Sequence, residues 1–321
     1  MVYKQFQKAV LESLNERLGF DYHLSLTTVT KNNGLTLDGI CIGYKECRTA
    51  PTIYLKAFFD AYNQGKPFDL IVNEMIEQYR TYQLPNPHSI EELFSKEPIT
   101  DKIVYRLINQ SANLTLLNDL PHLSFPDLDL SLIFCLSVER SNDQLLTTLI
   151  HKTHQKLFQL STKDLYQAAK ENTPRLFPSR IRSLQEVIKE IACKSPDTEI
   201  NEDEWSDFFN QTPLSPPMYV LTNSSGIYGA ACLFYEGILK DFAACTGGDL
   251  IILPSSIHEV LIIPYSKHIS YEELAETVLS INQREVAKED RLSNHIYHYS
   301  QSADQLTAAF TSSFPIGTTN P

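Results

Sequence analysis

The chain has 321 residues, 42% hydrophobic and 21% charged, with 39 acidic against 27 basic side chains and a net charge of −12. That length suggests two hydrophobic cores, and the composition is that of a globular protein rather than a disordered one. The charge repels phosphate backbones and anionic bilayers, so no nucleic acid and no membrane is expected as a partner. The densest basic patch, Arg175, Arg180 and Arg182, is interrupted by Pro178. No run approaches 18 apolar residues, so no membrane-spanning helix is expected. The first 18 residues carry Lys4, Lys8, Glu12, Glu16 and Arg17 and hold no apolar leader core. Six cysteines form no CxxC pair and sit mostly in apolar runs. They read as reduced, buried thiols of a cytoplasmic protein rather than as a disulfide framework.

Tyr3, Phe6, Val10, Leu14 and Leu18 recur at helical spacing, which predicts an amphipathic helix over 3–18. Alternation over 24–30 and 35–44, around Asn33-Gly34, predicts a β-hairpin packed on that helix. Residues 52–55 read as a third strand, and 57–63 and 68–82 as helices stopped by Pro85 and Pro87. One more helical turn is expected at 89–95. Leu-, Ile- and Val-rich runs at 103–108, 128–138 and 145–150 predict buried strands. Helices follow at 152–159, at 162–172 (closed by Pro174) and at 183–193.

The clearest break is 195–217, acidic and rich in proline. The expected organisation is an N-terminal lobe over 1–194, a linker over 195–217, a C-terminal lobe over 218–300 and a mobile tail over 301–321. In the second lobe, strands are predicted at 218–222, 227–234, 249–253, 259–263 and 294–299. Helices are predicted at 236–245, ended by Gly247-Gly248, and from the Ser270–Glu273 capping box to 281. The fold class is α+β: two lobes, with mixed or antiparallel sheets and helices packed on them.

The densest polar segment is Leu253-Pro254-Ser255-Ser256-Ile257-His258-Glu259-Val260. Ser256 and His258 share a face if it is extended, which would suit a nucleophile and its base. Glu259 would then face away, and no Gly-x-Ser-x-Gly elbow surrounds either serine. The competing reading is a turn whose hydroxyls bond local backbone, or a ligand site. Arg175, in Asn172-Thr173-Pro174-Arg175, could clamp an anion or belong to a connector. Asp127 and Asp129 could hold a cation or mark an exposed strand edge. His151/His154 and His295/His298 lack the spacing of a metal motif, so no metal is expected. Gly247-Gly248 follows a helix instead of preceding one, and no phosphate-binding or dinucleotide fingerprint occurs, so no cofactor is expected.

Several segments in fixed order carry a resemblance. They are Asn32-Asn33-Gly34 with Leu37-Asp38-Gly39, Pro51–Leu55, Ala169–Arg175, Met218–Asn223 and Leu253–Val260. The chain resembles, over residues 1 to about 300, a domain-of-unknown-function family of anaerobic low-GC Gram-positive bacteria. The resemblance implies a bacterial, cytoplasmic protein and assigns no activity. The leading expectation is a binding or regulatory module acting on an unknown small molecule or protein. A hydrolase using Ser256 and His258, and a structural interaction scaffold, are the alternatives.

Overall fold

A computed structural model describes residues 1–45, 51–82, 98–125, 127–140, 144–194, 216–254, 256–310 and 316. The chain divides into two compact units, Met1–Ile99 with Val138–Leu146 and Thr100–Ser137 with Thr147–Pro321. The linker expected at 195–217 falls inside the span of the second unit, and 195–215 lie outside the described residues. The helical turn expected at 89–95 also lies outside them. No described helix is long and apolar enough to cross a membrane.

In the first unit, Phe6, Val10 and Leu14 lie four residues apart on one face of the helix Tyr3–Leu18 and are fully buried. Each such side chain contributes about 1.5–3 kcal/mol by leaving water. They pack on the sheet β1 (Tyr22–Thr30), β2 (Thr36–Tyr44) and β3 (Thr52–Tyr54), in that order and antiparallel. Asn33 takes a left-handed conformation (φ 57°), which lets the hairpin reverse from Thr30 to Thr36. Ile71, Val72, Met75, Ile76 and Tyr79 of the helix Phe68–Tyr82 complete this core.

The second unit holds two sheets. In the smaller, β4 (Ile103–Asn109) pairs with β6 (Leu130–Arg140, of this unit as far as Ser137), which also pairs with β5 (His122–Ser124) and β7 (Gln144–Leu149, of this unit from Thr147). The strand expected from 128 starts at Leu130, because the Leu128 N–H closes a turn onto the Phe125 carbonyl.

The helix Thr162–Leu176 runs through Pro174 instead of stopping at 172. The proline falls in the last turn, where it removes one ladder N–H, and neighbouring side chains anchor that turn. The Thr173 hydroxyl donates to the Ala169 carbonyl, and Asn172 Nδ2 donates to the Thr100 and Ile103 carbonyls.

The larger sheet runs β13-β12-β10-β11-β9-β8, antiparallel throughout. Its strands are β8 (Ser179–Ser183), β9 (Tyr219–Asn223), β10 (Leu250–Leu253), β11 (Val260–Pro264), β12 (Ile296–Ser300) and β13 (Gln305–Phe310). Ala275 and Val278 of the helix Tyr271–Arg284 pack on Ile251, Leu253, Ile263 and Ile296.

Two expectations are corrected here. Residues 305–310 of the supposed tail form an edge strand, held by ladder bonds that need no apolar side-chain period. The strand expected over 227–234 is a 3₁₀ turn, Gly229–Phe234. Tyr228 before it has positive φ, and the small residues Gly229, Ala230 and Ala231 let the turn bury itself against the 256–259 segment.

Candidate functional site

The segment between β10 and β11 is a turn, so the face-sharing that applies to a strand does not apply to it. Ser255 lies outside the described residues. Pro254, Ser256 and Ile257 are tied to residues 290–293. The Ile257 N–H donates to the Asp290 carbonyl, the Ser293 N–H donates to the Pro254 carbonyl, and Ser256 bridges Arg291. Ser256 is buried, and its Oγ accepts from the His258 backbone N–H at 3.0 Å.

His258 is half-buried, and both ring nitrogens have partners. The Tyr228 backbone N–H donates to Nδ1 at 3.2 Å, and Nε2 lies 3.2 Å from Asp290 Oδ1. An amide that donates to Nδ1 needs a lone pair there, which places the ring proton on Nε2, facing the carboxylate. Neither nitrogen faces the Ser256 hydroxyl. The carboxylate that orients His258 is therefore Asp290, from a distant segment, and not the adjacent Glu259. The Thr222 hydroxyl holds the His258 carbonyl at 2.8 Å.

Burial pushes the Glu259 carboxyl above its ordinary value, and Asp290 adds to this, while His258 and a hydrogen bond with Ser256 pull the other way. A raised folded-state value means the folded protein holds this proton more tightly than the unfolded chain does. Stability from this group is therefore full below the ordinary glutamate value and is lost as pH rises through the raised one. Glu259→Gln should raise the melting temperature more at pH 8 than at pH 4, because the amide still accepts from a hydroxyl and carries no charge. An equal gain at both, read by thermal melts across pH, would contradict this.

Sequence reasoning missed the cation of this region. The guanidinium carbon of Arg106 lies 3.6 Å from the Tyr228 ring centroid, and that ring also contacts His258, with centroids 5.6 Å apart. Arg106 Nε is buried and has no hydrogen-bond partner among the described residues. Arg17, Arg80 and Arg182 each meet a carboxylate, whereas no described carboxylate pairs with Arg106. The signal was present in β4, where Ile103-Val104-Tyr105-Arg106-Leu107-Ile108 places one charge inside an apolar strand. Every other residue of that strand is buried, and Arg106 alone is half-buried.

Tyr228 sits at φ 55°, ψ 26°, a left-handed conformation that costs a bulky residue about 1–3 kcal/mol. It persists because His258 holds its N–H and Arg106 its ring.

Arg175 is placed elsewhere. It donates to the Asp101 carbonyl and to Asn172 Oδ1, at the end of its helix. Asp127 and Asp129 also separate, since their segment is not extended. Asp127 is exposed, and Asp129 accepts from Asn109 Nδ2 (2.7 Å), from the Ser293 hydroxyl (2.9 Å) and from the Tyr297 hydroxyl. His295 Nδ1 lies 3.5 Å from the same carboxylate. His151 Nδ1 faces Asp119, and the His151 backbone N–H donates to His154 Nδ1, so that pair caps a helix. Among the described residues no group of three or more His, Cys, Asp or Glu could hold a metal ion. Cys41, Cys135, Cys193, Cys232 and Cys245 are free thiols, and burial pushes Cys232 up to about 12.

Residues 3–301 match a family of unknown function (DUF5688). The chain belongs to that family. No curated protein and no solved structure matches it.

Proposed function

We propose that this protein is a binding module of the bacterial cytoplasm, and that its ligand is a small anion, a carboxylate or a phosphate, held by Arg106 beside Tyr228 and His258. The observation that carries this is the half-buried guanidinium, which has no acidic partner among the described residues. A charge withdrawn from water needs a counter-charge or loses stability, and a planar fork of donors suits an oxyanion. The ring of Tyr228 supports the guanidinium from one face, worth about 0.5–2 kcal/mol. The net charge of −12 disfavours large polyanions, so a small ligand fits better. The free thiols accord with a reducing compartment.

Arg106→Met tests this without knowledge of the ligand. In anion-free buffer the variant should melt at or above the wild type, because methionine fills the stem's space without an uncompensated charge. A drop of about 1–2 kcal/mol, with no anion response in the wild type, would mark Arg106 as a structural stack on Tyr228.

A further inference from the structure

A second cluster in the same unit shares no residue with the Arg106 site. The Tyr271 hydroxyl and His298 Nδ1 are 2.8 Å apart, and His298 Nε2 lies 3.1 Å from Asp249 Oδ2. The other carboxylate oxygen, Oδ1, accepts the Gln301 backbone N–H at 2.8 Å, which fixes the carboxylate's orientation. The backbone bond to Gln301 is also the main cause holding Asp249 below the usual carboxylate value, so it carries its charge at neutral pH. That charge draws the ring proton to Nε2. Nδ1 is then a lone pair, and Tyr271 must donate to it. The order is hydroxyl, imidazole, carboxylate, with each member oriented by the next.

The three groups come from separate elements. Tyr271 opens the helix Tyr271–Arg284, His298 lies in β12, and Asp249 directly precedes β10. Pairing of Ile251 with His298 brings the last two together. All three are partly exposed, so a small molecule can approach.

From this geometry we infer that Tyr271 is a base-assisted nucleophile that accepts an acyl group from an activated ester or thioester. The phenol oxygen attacks the carbonyl carbon while its proton passes to His298 Nδ1. Asp249 stabilises the imidazolium through Nε2–H. The alcohol or thiol leaves with the proton from Nδ1, and an aryl ester remains on Tyr271. No oxidant or metal enters the balance. Burial raises the phenol above its ordinary value, with Tyr265 and Asp249 adding to this, so unaided ionisation is disfavoured and the base is required. Asp249 makes a neutral acyl donor a better substrate than a phosphoryl donor.

The test is site-resolved acetylation of the full chain by p-nitrophenyl acetate, read by peptide mass spectrometry. Tyr265 is the internal control. It is 45% exposed, its ring contacts His298, and its hydroxyl makes no hydrogen bond to that imidazole. Tyr271 should acetylate faster than Tyr265. His298→Gln should slow it about 100-fold, with Tyr265 unchanged, and Asp249→Asn should slow it less. Tyr271 reacting no faster than Tyr265, or at an unchanged rate in both variants with far-ultraviolet circular dichroism intact, would overturn the inference and leave the cluster a structural tie.

Discussion

Asp129→Ala should lower the unfolding free energy by about 3 kcal/mol. The carboxylate is the common acceptor for Asn109, Ser293 and Tyr297, and the side chains of all three are at 0% exposure. Removal of the acceptor leaves three donors where water does not reach. Each orphaned donor costs about 1–3 kcal/mol, and they share one acceptor, so the costs do not simply add. Asn109 keeps its second bond, to the Leu292 carbonyl at 3.0 Å, which limits the damage at that corner. The cluster ties β4 and the turn before β6 to the segment entering β12. Its loss should also loosen residues 290–293, which position the His258 turn. Urea denaturation should show a lower midpoint with an unchanged slope. A loss under about 1 kcal/mol would mean that solvent satisfies the cluster.

Gly229→Ala should cost about 3 kcal/mol, at the upper end for overpacking. A Cβ there would lie 2.2 Å from Thr222 Oγ1, 2.5 Å from the His258 carbonyl oxygen and 2.7 Å from the Asn223 backbone nitrogen. Two of those three atoms are backbone and cannot rotate away. Relief requires the turn to separate from β9 or the His258 carbonyl to retreat, and either displaces the Tyr228 N–H from His258 Nδ1. Adding Thr222→Ala removes one clash and also the hydroxyl bond to His258, so it should restore little. Full rescue by that second change, read as the melting temperature of single and double variants, would contradict the backbone account.

The sequence was informative where one local pattern decides the structure. The stripe Phe6, Val10, Leu14, the turn at Asn33 and the left-handed cap at Gly247 each have a single sufficient cause within a few residues. It misled where tertiary contacts overrule the pattern. Residues 227–234 are apolar enough for a strand, yet the close approach of Gly229 to β9 winds them into a 3₁₀ turn. Pro174 should end a helix, but the turn that carries it is anchored by Asn172, to the Thr100 carbonyl, and by Thr173, to the Ala169 carbonyl.

The candidate site was half legible. His258 and Ser256 stood out as polar residues between apolar strands. Their partners did not, because Asp290, Tyr228 and Arg106 lie 32, 30 and 152 positions from His258, and proximity across such spans is set by sheet topology rather than spacing. Arg106 was nonetheless detectable, as the one charge in a strand otherwise buried.

Binding of a small anion by Arg106 is the proposed function. It is tested most directly by melting the wild type and Arg106→Met in parallel against acetate, citrate and phosphate, with chloride at matched ionic strength. The wild type should gain stability saturably with at least one of these anions, by about 2.7 kcal/mol at one hundred times the dissociation constant, and Arg106→Met should not respond. Equal gains in both proteins, or no gain in the wild type with any of the three, would contradict the claim.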